Sequence, residues 1–107
     1  MGYEAETIKS LPICKEKKLL ASLIKTALND LKENYSSSIE FNYARKWINA
    51  NADSSDQGFS FKDTCLYLGF SPEIIRREIY SQAIEYKQKK GNILEIVIIK
   101  NLARNYL

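Results

Sequence analysis

Two adjacent arginines, Arg76 and Arg77, are the side chains of this sequence best suited to recognising an anion. A guanidinium group donates parallel hydrogen bonds to a phosphate or to the O6 and N7 edge of guanine. Ser71 and Glu73 stand just before the arginines, and Tyr80 follows one turn later. A helix over this segment would carry all five residues on its N-terminal half, where they can meet one partner together.

The charge distribution supports an anionic partner on this side of the molecule. The formal net charge of the chain is +3. Residues 1–40 and residues 41–72 are each balanced, whereas residues 73–107 hold seven Lys and Arg against four Asp and Glu. Lys87 belongs to this basic segment and is a further candidate contact. A local excess of this kind favours binding to phosphate, although solvated helix faces carry lysines too.

Composition argues against catalysis and against a structural metal. The chain has no histidine, and its two cysteines, Cys14 and Cys65, are too few for a four-ligand zinc site. It also has no glycine-rich phosphate loop and no close pair of acids with a plausible pocket. We therefore expect no enzyme activity, no cofactor and no metal.

Hydropathy indicates a soluble, cytoplasmic protein that does not enter a membrane. The strongest apolar run, residues 93–99, is far shorter than the roughly 20 residues that cross a bilayer. The N-terminal segment has no basic stretch leading into an apolar one. A length of 107 residues with 45% hydrophobic and 27% charged residues fits one small domain.

The apolar periodicity predicts an all-α bundle of about five helices over residues 15–107, preceded by a flexible N-terminal arm over residues 1–14. The first helix covers residues 15–34, and Ser38 caps a second one in which Trp47 packs into the core. Residues 49–58 should form an exposed loop. Ser60 caps a short third helix, which ends at Gly69.

Ser71 caps the fourth helix and Pro72 occupies its first turn, and the helix should end near residues 89–91. Its predicted buried face holds Ile75, Ile79 and Ala83, so that Arg76, Arg77 and Tyr80 point outward. Residues 93–99 are rich in β-branched side chains and fit a strand, but a stripe of helical spacing favours a fifth helix. That stripe consists of Leu94, Ile98, Leu102 and Tyr106, and Asn92 with Glu95 resembles its cap.

A helix-turn-helix pattern spans the corner between the third and fourth helices. A helix-turn-helix needs a small residue at the helix contact, a glycine four residues later and an apolar plug after it. Cys65, Gly69 and Phe70 meet these needs. Over residues 61–80 the sequence resembles the helix-turn-helix superfamily of bacterial DNA-binding proteins, from which Thr64 and Glu78 depart by standing where apolar side chains are usual.

The sequence is also similar to a set of small uncharacterised bacterial proteins. Their shared pattern corresponds here to Trp47-Ile48, Phe59-Ser60-Phe61, Cys65, Leu68-Gly69, Pro72 and Arg76. The helix-turn-helix resemblance implies sequence-specific binding of duplex DNA by a bacterial transcriptional regulator, with the helix-turn-helix unit over 61–88. The residues expected to contact DNA are Ser71, Glu73, Arg76, Arg77, Tyr80 and Lys87.

Two further interpretations follow from the residues themselves. Glycine followed by Ser-Pro-Glu is ordinary helix capping, and Glu73 and Glu78 weaken attraction to phosphate, so a helical protein-interaction or assembly module remains open. Residues 93–99 are apolar on more sides than one small domain can cover. We therefore expect a homodimer formed through residues 92–107.

Overall fold

The computed structural model describes the backbone of residues 3–50, 54–55, 58–104 and 106, and the side chains of residues 17–50, 60–104 and 106. Within these ranges the chain forms five helices and one pair of short strands. They are, in order, α1 (Tyr3–Glu33), α2 (Ile39–Asn49), β1 (Ser54–Ser55), β2 (Gly58–Phe59), α3 (Phe61–Tyr67), α4 (Pro72–Lys89) and α5 (Ile93–Leu102). The predicted all-α bundle is confirmed.

Serine caps start three of the helices, as the sequence predicts. The hydroxyl of Ser38 accepts a hydrogen bond from the Phe41 amide at 3.1 Å, and Ser60 does the same for Asp63 at 3.0 Å. Ser71 caps α4 with a longer bond of 3.4 Å from the Ile74 amide. Each hydroxyl satisfies an amide that has no partner within its own helix.

Glycines end α3 and α4 with the same hydrogen-bonding pattern. Gly69 and Gly91 have φ angles of 84° and 70°, which L side chains rarely adopt. After α3, the Phe70 amide donates to the Cys65 carbonyl at 2.8 Å and the Gly69 amide donates to Leu66 at 3.0 Å. This double closure is a Schellman motif, and it turns the chain sharply into the cap of α4.

The core lies between α1 and α4 and is completed by the other three helices. Its fully buried large side chains include Leu31, Phe41, Phe61, Tyr80 and Ile99, one from each helix. Trp47 is half-buried and meets the Phe61 ring edge-on, with 5.3 Å between ring centroids. Its predicted role in packing the core is confirmed, since it lies against this cluster.

The N-terminal helix is longer than the sequence analysis predicts. α1 begins at Tyr3 rather than near residue 15, so residues 3–14 of the predicted arm are helical. Pro12 lies inside this helix, which continues past it although the proline removes one backbone donor.

The loop prediction and the α5 prediction are each partly corrected. Within the predicted loop over residues 49–58, Asn49 closes α2 and the two strands pair antiparallel, while residues 51–53 and 56–57 lie outside the described residues. α5 is a helix, as expected, but its buried stripe is Glu95, Ile96 and Ile99 rather than the stripe through Leu94, which is 70% exposed. Asn92 makes no side-chain cap.

Candidate functional site

The corner between α3 and α4 is a tight turn made at a glycine of positive φ. Cys65 is fully buried where α3 meets its neighbours, and Gly69 makes the turn four residues later. Thr64, a departure from the superfamily pattern, is buried without penalty because its hydroxyl donates to the Ser60 carbonyl at 2.8 Å. Burial raises the pKa of the Cys65 thiol to about 11, with a smaller opposing effect from Arg76.

Arg76 lies inside the protein, contrary to the prediction that it points outward. Only 5% of its surface is exposed. Its Nε donates to the Ile48 carbonyl at 2.8 Å, which ties α4 to the end of α2. Its guanidinium carbon lies 5.2 Å from the Phe61 ring centroid and 4.6 Å from that of Tyr106. An arginine held between two aromatic rings is not available to a partner in this conformation.

Tyr80 is also a core residue rather than an outward one. It is fully buried, and its hydroxyl donates to the Asn49 side chain at 2.6 Å. Its ring stacks on Tyr106 with 6.1 Å between centroids and 8° between planes. Burial raises the pKa of Tyr80 to about 12. The tyrosine thus joins α4, the end of α2 and the C-terminal turn.

Lys87 is the third predicted DNA contact, after Arg76 and Tyr80, that is buried in the structure. It is 4% exposed, and its ammonium group donates to the Asn34 carbonyl at 2.8 Å. The same group lies 3.6 Å from a carboxylate oxygen of Glu95. Glu95 in turn accepts from the backbone amide and the hydroxyl of Ser36, at 2.7 and 2.8 Å. This buried network fastens α4 and α5 to the turn that follows α1.

The three remaining predicted contacts are on the surface as expected. Ser71, Glu73 and Arg77 are exposed. The Nε of Arg77 donates to the Tyr106 carbonyl at 3.2 Å, and this bond is solvent-exposed. The structure therefore brings Arg76, Arg77 and Tyr80 together around Tyr106, and it separates Arg76 and Tyr80 from solvent.

One spacing in the sequence could have shown this arrangement. Arg76, Tyr80, Ala83 and Lys87 follow one another at four, three and four positions, and all four are buried. The predicted inner face of Ile75, Ile79 and Ala83 is wrong in leaving out Arg76 and Tyr80, which lie beside Ile79 and Ala83 in the core. Arg76 and Lys87 tolerate burial because each has a backbone carbonyl to bind and because their long apolar stems pack well.

The outward face of α4 follows a second stripe that the sequence analysis did not identify. It consists of Ile74, Glu78, Ser81 and Glu85, all exposed. Glu78 accepts a hydrogen bond from Gln82 at 3.0 Å, and Glu85 pairs with Lys89 at 3.6 Å. Since three glutamates including Glu73 are exposed on this helix, its outward face does not have the positive character that DNA contact favours.

Apolar side chains are exposed around the corner itself. Leu66 at the end of α3 is 55% exposed, Phe70 in the turn 49%, and Ile74 in the first turn of α4 60%. Beside them is an open cleft of about 400 Å³ lined by Lys62, Leu66, Ser71, Pro72, Glu73 and Arg76. Clustered apolar exposure next to a concave cleft is typical of a surface that docks a partner.

The comparisons with known proteins add no relative to this picture. No protein-family model matches the chain, and no curated protein or solved structure shows significant similarity to it. Among the described side chains, no group of three or more His, Cys, Asp or Glu could hold a metal ion. No helix in the described part of the chain combines the length and the apolar character needed to cross a membrane.

Proposed function

We propose that this chain is a helical protein-interaction module and that the corner between α3 and α4 is its binding surface. The observation that supports this function most is the exposure of Leu66, Phe70 and Ile74 on one corner of the bundle, beside the open cleft. Removing such side chains from water is worth roughly 1.5 to 3 kcal/mol for each one fully buried. A protein partner gains this free energy, whereas a phosphate backbone does not.

The charges around the corner define the kind of protein that it accepts. Glu73, Glu78 and Glu85 are exposed along α4, against the exposed bases Arg77 and Lys89. A partner with Lys or Arg beside its apolar side chains would therefore be favoured, because complementary charge speeds encounter and rejects wrong partners. An amphipathic helix with a basic border has this chemistry, and an apolar surface beside a cleft is the usual acceptor for such a helix.

A selection from a displayed library of amphipathic helical peptides tests this function. We expect the wild-type chain to enrich helices whose apolar face is bordered by Lys and Arg. The variants Phe70→Asp and Ile74→Asp should lose that enrichment, whereas Lys25→Asp, at an exposed position of α1, should keep it. Enrichment that is absent, or that persists in both corner variants while they remain folded, would reject the corner as the binding surface.

Sequence-specific binding of duplex DNA, as by a bacterial transcriptional regulator, is the second candidate. The tight turn at Gly69 and the exposed Arg77 support it, since a recognition helix needs a donor of this kind near its start. The test is a titration of random duplex DNA at several salt concentrations. DNA binding requires an affinity that falls as salt rises and a shallower salt dependence in Arg77→Ala. If the chain shows no measurable affinity for DNA at low salt, DNA binding is rejected and the protein-interaction function remains.

A further inference from the structure

The outward face of α5 is complementary in chemistry to the outward face of α4. Ile93, Val97 and Lys100 follow one another at four and three positions, and Arg104 continues the stripe just past the end of the helix. All four are exposed, and Ile93 and Val97 are 74% and 49% accessible. We call these four residues the α5 stripe.

The α4 stripe, formed by Ile74, Glu78, Ser81 and Glu85, has the same spacing and the opposite charge. Both stripes begin with an exposed isoleucine and carry their charges further along, basic on α5 and acidic on α4. Aligned in parallel from their isoleucines, Ile93 faces Ile74 and Arg104 faces Glu85. Lys100 then faces Ser81, which lies between Glu78 and Glu85 along the α4 stripe. Within one chain, each stripe points away from the core, opposite the residues that each helix buries.

We propose that the occupant of the α4 stripe is the α5 stripe of a second copy of this chain. This inference rests on the proposed protein-interaction function and names its partner. The amphipathic helix with a basic border that the α4 surface favours is present on this chain as α5. Leu94, 70% exposed beside the α5 stripe, adds apolar surface that the second copy covers. Self-association thus buries side chains that a single copy leaves in water.

The buried network at Lys87 explains why α5 presents this face. Glu95 turns inward to Lys87 and Ser36, and Ile96 and Ile99 follow it into the core. This rotation about the helix axis leaves Ile93, Leu94 and Val97 outside. The contact surface is therefore fixed by the internal packing of α5 rather than assembled on binding, which lowers the ordering cost of association.

A charge exchange measured by sedimentation equilibrium on the full chain tests this pairing. Wild type should form dimers. The variant Lys100→Glu/Arg104→Glu sets acid against acid, and the variant Glu78→Lys/Glu85→Lys sets base against base. Each should weaken self-association by about tenfold or more, because each replaces opposite charges at the contact with like charges that repel. Circular dichroism would establish that both variants are folded.

Restoration of pairing is the decisive result. An equimolar mixture of the two variants should form mixed dimers, and a chain that carries all four changes should dimerise with itself, because each restores opposite charges. A wild-type chain that stays monomeric would overturn the inference, and so would dimers that neither variant weakens. The peptide selection above would still bear on the corner in that event, so failure of self-association and failure of the proposed function are distinguishable.

Discussion

The guanidinium carbon of Arg76 lies 4.6 Å from the ring centroid of Tyr106. The same carbon lies 5.2 Å from the ring centroid of Phe61, and the Nε of Arg76 donates a hydrogen bond to the Ile48 carbonyl. One charged side chain thereby joins α2, α3, α4 and the turn after α5. The two adjacent arginines therefore differ in role, because Arg76 is buried in the core and Arg77 is exposed.

Replacing Arg76 with alanine should destabilise the protein by about 2 to 4 kcal/mol, because it removes a buried hydrogen bond and two ring contacts and leaves a cavity. Arg77→Ala is the matched control and should change the free energy of unfolding by less than about 0.5 kcal/mol. Urea unfolding followed by circular dichroism measures both. Equal stability of the two variants would show that the Arg76 contacts contribute nothing.

Breaking the buried ion pair between Lys87 and Glu95 should cost about 3 kcal/mol, because Glu95→Gln leaves an ammonium group in the interior without its counter-ion. The double variant Lys87→Met/Glu95→Gln should recover part of this loss. The chain provides a control at the same distance of 3.6 Å, since Lys89 and Glu85 form an exposed pair. Lys89→Met should cost less than about 0.5 kcal/mol. Chemical unfolding of the four proteins would refute the prediction if the two pairs behaved alike.

Stability should fall steeply between about pH 9 and pH 12. Burial raises the pKa of Cys65 from 9.0 to about 11 and that of Tyr80 from 10.0 to about 12. The stability from these neutral groups is fully present below the unfolded-state pKa values. It is lost as pH rises through the folded-state values, by roughly 2 to 3 kcal/mol for each group.

The variant Cys65→Ala provides the control for this alkaline loss. It should be less stable than wild type at neutral pH, because it leaves a small void, but it should lose less of its stability between pH 9 and 11. Thermal unfolding at successive pH values measures the difference. Parallel pH profiles for the two proteins would mean that the buried thiol does not contribute to the alkaline transition.

The stability of the turn at Gly69 should depend on the chirality of the residue at this position rather than on the size of its side chain. A Cβ atom added at Gly69 meets no atom within 4 Å, so the only cost of an L-alanine is its positive φ of 84°. Gly69→Ala should lose about 1 to 2 kcal/mol. D-alanine, introduced by chemical ligation, should be at least as stable as glycine. A loss with D-alanine as large as that with L-alanine would contradict this account.

Local chemistry in the sequence predicted most helix boundaries, and long-range contacts decided the site. The caps and the turn act on residues only a few positions away, so their roles were predictable from the neighbouring sequence. They are Ser38, Ser60, Ser71 and Gly69. The burial of Arg76 depends on the Ile48 carbonyl, 28 positions away in sequence. The spacing within α4 fits a buried face that contains Arg76, but it does not identify this acceptor.

The same reasoning explains the error in α5. Glu95 was expected to act locally at the start of its helix, but Ser36 and Lys87 hold it from two other elements. A buried carboxylate is favourable only with such partners, and those partners come together only after α1, α4 and α5 have packed. Once Glu95 faces inward, Leu94 must face solvent, so a single long-range contact set the orientation of the whole helix.

Trp47 is the only tryptophan of the chain, and its half-buried indole meets Phe61 edge-on beside the Arg76 contact. The protein thus carries an intrinsic fluorophore at the junction of α2 and α3. Separation of α3 from α2 would expose the indole to water and shift its emission to longer wavelength, whereas a partner that reached this junction would shift it to shorter wavelength. Unfolding and any rearrangement of α3 can therefore be followed optically in the unlabelled chain.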